Sequence, residues 1–117
     1  MKTFGYAAAA LAMSLAAAPA FAQDGAQLFN MQCKMCHGPA STVMAPALAG
    51  VAGAKIAARQ DFAYSPALKA KDGAWTDANL DAFLKAPMAF APGTRMPVSV
   101  PDDANRAAIV AYLHTLK

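Results

Sequence analysis

Apolar positions recur at helical spacing in several short stretches of the chain and alternate convincingly at period two in none. A first helix is expected to start at Asp24, whose carboxylate can accept from the free amides of the first turn. It should run through Leu28 and Phe29 to the cysteines. Gly38-Pro39, Pro46, Gly50 and Gly53 read as loop. Ser65-Pro66 combines a cap with proline at the first helical position and opens a short helix over Ala67 to Lys71. Thr76 caps another, which carries Leu80, Phe83 and Leu84 and is stopped by Pro87. Pro101 and Asp102 open the last helix, where Ile109, Tyr112, Leu113 and Leu116 fall at i, i+3, i+4 and i+7 in one stripe. The predicted fold class is all-α with long loops, and such loops in so small a domain need something to pack against.

Residues 1–22 have a different composition from the rest. A lone Lys2 precedes an Ala/Leu-rich run from Tyr6 to Ala18, and Ala20-Phe21-Ala22 stands before Gln23. This is the layout of a secretory signal cleaved after Ala22. The run is interrupted by Ser14, meets Pro19 and falls short of the roughly 20 residues that a membrane span needs, which makes a retained anchor the rival reading. Residues 23–117 then form one domain, soluble and expected to be monomeric, with a small apolar core that a prosthetic group would help. They carry nine Lys or Arg, seven Asp and no Glu, a formal charge of about plus two. Without a basic run or a stripe of cations and aromatics, nucleic acid is excluded as the expected partner.

Candidate chemistry centres on Cys33-Lys34-Met35-Cys36-His37, which contains both cysteines of the chain. Cys-x-x-Cys-His is the spacing of a c-type haem attachment: two thiols a helical turn apart form thioethers to the two vinyl groups, and the adjacent His faces the iron. Three competing readings are weaker. A structural disulfide needs no His and would close a very small loop. A thioredoxin-like dithiol needs a strand-helix-strand context that this chain lacks. Zinc needs four ligands, and the soft or imidazole groups are Cys33, Cys36, His37 and the remote His114. Export to an oxidising compartment, here the periplasm, agrees with haem attachment.

The second axial ligand separates an electron carrier from a catalyst, because a Met thioether favours electron transfer and an open position invites peroxide or gases. Met31 and Met35 flank the cysteines, Met44 follows His37 closely, and Met88 follows the helix-ending Pro87. Met96 sits in Pro92-Gly93-Thr94-Arg95-Met96-Pro97, where Pro-Gly suits a tight turn and Pro97 keeps Met96 out of helical geometry. A rigid extended loop of this kind holds a weak thioether ligand.

These residues resemble a class I cytochrome c of the mitochondrial and related bacterial type, over essentially all of residues 24–117. The likeness joins Gly25 and Phe29, Cys33 to His37, Ala45-Pro46-Ala47-Leu48, Phe62-Ala63-Tyr64, Trp75, Pro87, Pro92 to Met96 and Ala111-Tyr112-Leu113. It implies the cytochrome c fold, several short helices and long loops wrapped around one covalent haem c. His37 is then the proximal and Met96 the distal iron ligand. The Pro46 carbonyl accepts from the proximal imidazole, and Tyr64, Trp75 and Thr94 hydrogen-bond the haem propionates. Gly25 and Phe29 match the crossing of the first and last helices, where Tyr112 packs.

The chain also departs from the family. Ala54 stands where an arginine is frequent near the inner propionate, with Lys55 and Arg59 nearby. Leu68 replaces an asparagine and Val98 an aromatic, while Met88 and Ala89 take positions where lysines are usual. Lys34, Lys85 and Arg95 remain near the edge, so steering by charge is expected to be weak. The remaining Lys and Arg read mostly as solvated faces, and His114 as a solvent-facing residue interacting with its helix end. The function expected is that of a non-enzymatic, one-electron carrier between redox proteins. By resemblance these are a quinol-oxidising cytochrome complex and a terminal oxidase, or a periplasmic reductase or dehydrogenase. The alternatives are a haem peroxidase or gas-binding module with an open sixth position, a membrane-anchored cytochrome, and a dedicated dehydrogenase subunit.

Overall fold

The computed structural model describes residues 24–117 together with Gly5, Ala9 and Ala10. The expected signal peptide and its cleavage point lie outside the described residues. Five helices follow one another: α1 (Gly25–Gln32), α2 (Pro66–Lys69), α3 (Asp77–Lys85), α4 (Pro87–Phe90) and α5 (Asp103–Leu113). Among the described residues there is no strand, only an isolated antiparallel bridge between Lys55 and Ala74.

Four of the helices begin where a short polar side chain replaces a missing backbone partner. Asp24 accepts from the Ala26 amide, Ser65 from Leu68, Thr76 from Asn79 and Asp102 from Asn105. α2 ends at Lys69, two residues before the expected Lys71, because its last turn tightens: the Lys71 amide reaches back only to the Leu68 carbonyl. Pro87 stops α3 as expected but also starts α4, which the hydrophobic pattern did not predict. Ala86, forced out of helical geometry by the following proline, is extended at φ −153 and ψ 82, and helix resumes with Pro87 at its first position.

The framework is the packing of α1 on α5 and of α3 on both α4 and α5. Gly25 lets α1 and α5 touch: a Cβ there would lie 2.1 Å from the Ala108 carbonyl oxygen. One turn on, the Phe29 and Tyr112 rings meet with centroids 5.1 Å apart. Leu28 and Ile109 are the most deeply buried large side chains in this seam. Of the stripe predicted on the last helix, Ile109 and Leu113 are buried, whereas Tyr112 and Leu116 are half-buried and Leu116 lies beyond the helix end. In the same core, Trp75, Phe83 and Phe90 form a triangle of rings, with Trp75 5.2 Å from Phe83 and 5.6 Å from Phe90, and 5.7 Å between the two phenylalanines.

One expectation about charged groups is corrected and one is extended. Arg106 is not on a solvated face: it is 3% exposed, with its guanidinium hydrogen-bonded to Asp81, Asp103 and the carbonyls of Val100 and Pro101. His114 is exposed as expected, but its Nε2 lies 2.6 Å from Asp77 Oδ1, so it ties the end of α5 to the first turn of α3.

Candidate functional site

Between these helices and the loops lies a cavity of about 330 Å³, within the size range of cofactor pockets. Four of the five helices contribute to its wall: Phe29 and Cys33 from the end of α1, Leu68 from α2, Leu80, Phe83 and Leu84 from α3, and Ile109 and Leu113 from α5. All eight residues singled out in the sequence line it together: Cys33, Cys36, His37, Pro46, Tyr64, Trp75, Thr94 and Met96.

The motif sits on the frayed end of α1. Helical hydrogen bonding continues past Gln32, with the amides of Cys33 and Lys34 both on the Phe29 carbonyl and that of His37 on the Cys33 carbonyl, 2.9 Å each. This turn carries the two cysteines and the histidine to one wall. Both thiols are free. Cys33 is buried, and burial pushes its thiol above the ordinary value, which keeps it protonated at neutral pH. Among the described residues no three of His, Cys, Asp and Glu come together to hold a metal ion, so the zinc reading finds no ligand set.

His37 is aimed by its outer nitrogen. Nδ1 lies 2.8 Å from the Pro46 carbonyl oxygen and donates to it as the protonated atom, which leaves Nε2 with a free lone pair for a metal. The loop that offers this carbonyl is closed on itself by Ala47 N donating to Ser41 Oγ at 2.9 Å and by Thr42 N donating to Ala45 O at 3.0 Å.

Met96 is half-buried, on the strap that joins α4 to α5. The other methionines weighed as ligands, Met31, Met35, Met44 and Met88, are all exposed large side chains. Met44 still touches the cavity rim. Gly93, at φ 91, supplies the turn that a side chain would strain, and the buried Thr94 is held by its amide on the Ala91 carbonyl at 2.9 Å.

Tyr64, half-buried, has its hydroxyl pushed up chiefly by burial. Trp75 is fixed through its backbone, with its amide on the Ala54 carbonyl at 2.7 Å and its carbonyl accepting from Gly53 at 2.9 Å. Of the residues that mark departures from the family, Ala54, Lys55, Arg59, Leu68 and Val98 also line the cavity. Arg59 meets Asp61 in a two-point ion pair at 2.9 and 2.8 Å. Arg95, exposed at the cavity as expected, donates to the Ala63 carbonyl and lies 5.3 Å over the Phe62 ring. Sequence reasoning missed the cavity role of Ser65, whose capping hydroxyl signalled only a helix start, and of Phe83 and Ile109, whose spacing signalled only core.

Such a wall suits a flat apolar group anchored at two thiols beside an imidazole. The lining is apolar, the two thiols are unbridged, and the one imidazole present has its outer nitrogen already satisfied. The residues therefore fit a covalent haem.

Comparison with known proteins agrees. The cytochrome c family model matches residues 22–117. The chain is 42% identical over 97 residues to the cytochrome c-type cyt cy of Rhodobacter capsulatus, covering 81% of this chain and 49% of that protein. It thus spans about half the length of that relative. Against cytochrome c of Tetrahymena pyriformis it is 38% identical over 97 residues, covering 81% of this chain and 88% of the other. The structure of cytochrome cH from Methylobacterium extorquens superposes with a TM-score of 0.72 at 35% identity, covering 78% of this chain and 94% of that one. The chain belongs to the cytochrome c family, whose members bind one covalent haem c with its iron and carry electrons rather than act as enzymes.

Proposed function

We propose that this chain is a soluble periplasmic one-electron carrier whose residues 1–22 are removed as a signal peptide and whose residues 23–117 form a monohaem domain. Cys33 and Cys36 hold the haem through thioethers, and His37 and Met96 are the axial iron ligands. The observation that carries this reading is the meeting of all four side chains at one apolar cavity. When bound, the group supplies a one-electron couple between ferric and ferrous iron.

The chain's own residues do the rest. The free thiols of Cys33 and Cys36 would hold the group through two thioethers. The Pro46 carbonyl keeps the His37 proton on Nδ1 and so presents Nε2 to the iron. The thioether of Met96 would serve as the second ligand, which would favour electron transfer over the binding of peroxide or gases. Tyr64, Trp75 and Thr94 serve the propionates, and the apolar wall from α3 and α5 excludes water.

The partners are a quinol-oxidising cytochrome complex and a terminal oxidase, or another periplasmic reductase or dehydrogenase, met by a monomer. With a formal charge of about plus two on residues 23–117, guidance by charge is weak. The test is the intact mass of the exported protein and of Cys33→Ser and Cys36→Ser. The reading predicts a chain shortened by residues 1–22 and heavier by one haem in the wild type, with no stable haem adduct when both cysteines are replaced. An exported chain that carries no covalent haem would contradict it.

A further inference from the structure

The strap that carries Met96 is held at its two ends and hardly between them. Its entrance is fixed by the Thr94 amide on Ala91 O, at a residue 0% exposed, and by Arg95 on Ala63. Its exit is Val100, 2% exposed, whose amide donates to the Leu84 carbonyl of α3 at 2.8 Å. The Val100 carbonyl accepts from Arg106 Nη1 of α5 at 2.9 Å, and the Pro101 carbonyl accepts from the same nitrogen at 3.0 Å. Arg106 Nε meets Asp81 Oδ1 of α3 at 2.8 Å, and Nη2 meets Asp103. From Gly93 to Ser99, the only amide among the described residues with a backbone partner is that of Thr94. Only three residues separate Met96 from Val100, four Cα steps spanning at most about 14 Å, so the position of Val100 limits where the thioether can reach.

We infer that Arg106 is the positioning residue of the Met96 strap: by locking the Val100 and Pro101 carbonyls to Asp81 of α3, it keeps the thioether at the iron and incoming ligands out. The inference rests on Met96 being an axial ligand. Any buried guanidinium needs partners, but two of those that Arg106 takes are consecutive carbonyls at the exit of the strap, which fastens the strap to α3 and α5. The planar fork makes these bonds at once, which the point charge of lysine cannot reproduce.

The test uses the haem-loaded full protein. The ferric near-infrared band of iron bound to a Met sulfur and the affinity for added imidazole are measured in wild type, Arg106→Met, Arg106→Lys and Asp81→Asn. Tyr112→Leu serves as a comparison weakened in the α1–α5 seam, away from the strap. Arg106→Met should bind imidazole about tenfold tighter, the result of losing a buried charge-assisted anchor. Arg106→Lys and Asp81→Asn should fall between it and wild type, and Tyr112→Leu should change less than about twofold. Should Arg106→Met fail to accumulate, Arg106→Lys and Asp81→Asn decide by the same readout. Unchanged imidazole affinity in the strap variants, or an equal rise in Tyr112→Leu, overturns the positioning role. A wild type without the band overturns the assignment of Met96, and the positioning role with it.

Discussion

At Gly25 a single missing carbon atom sets how closely two helices approach. A Cβ there would meet a backbone carbonyl of α5, not a flexible side-chain end, so the clash can be relieved only by moving a helix. Gly25→Ala should therefore lower stability by about 2 kcal/mol despite the better helix propensity of alanine, a fall in Tm of about 10 °C in thermal denaturation. Ala57 is the opposite case, a non-glycine at φ 59, where the left-handed region costs an L-residue about 1 kcal/mol. Ala57→Gly relieves that strain and loses part of the gain to the freer unfolded chain, so a urea midpoint should show a net stabilisation of about 0.5 kcal/mol. Asp61 has its carboxyl held below the ordinary value, first by the hydrogen bond from Arg59. A lowered folded-state value adds stability above the unfolded value and loses it as pH falls through the folded one. Because the pair is exposed, Asp61→Asn should fall only slightly below wild type at pH 7 and match it well below about pH 4, read as Tm against pH.

The elements were largely legible where their cause is local. Asp24, Ser65, Thr76 and Asp102 all cap the helices they were expected to open, because a cap is a contact between residues two or three apart. Asp102→Ala should cost about 1 kcal/mol, a fall in Tm of about 5 °C, by leaving the Asn105 amide without its acceptor. Less legible was α4, which has no capping side chain and starts on the same proline that ends α3. A rule that reads proline as a stop does not see that its fixed φ also suits a first turn. Arg106 was misread, and the partner of the exposed His114 went unseen, for a different reason: Asp81 and Asp77 lie 25 and 37 residues away. No periodicity within a helix records which of its charged residues will meet another helix.

On the scale of the molecule, five short helices and the loops between them surround a cavity whose lining gathers the attachment motif, the aimed imidazole and the strap methionine. The motif was legible because Cys33, Cys36 and His37 are adjacent in the chain and their spacing is itself chemical. The place of Met96 at the cavity was legible from the prolines and glycine around it and from the family likeness. The network that anchors its strap was not, since it joins α3, α5 and a loop that only folding brings together. No helix among the described residues is long and apolar enough to cross a membrane. The central claim is that one haem sits in this cavity with His37 and Met96 on its iron. The measurement that tests it most directly is the optical spectrum of the purified protein, oxidised and reduced, with and without carbon monoxide, in wild type and Met96→Ala. The account predicts the ferric Met-sulfur band in wild type, its loss in Met96→Ala, and carbon monoxide binding to the reduced variant alone. A wild type that lacks the band and binds carbon monoxide readily when reduced would contradict it and point to an open coordination site.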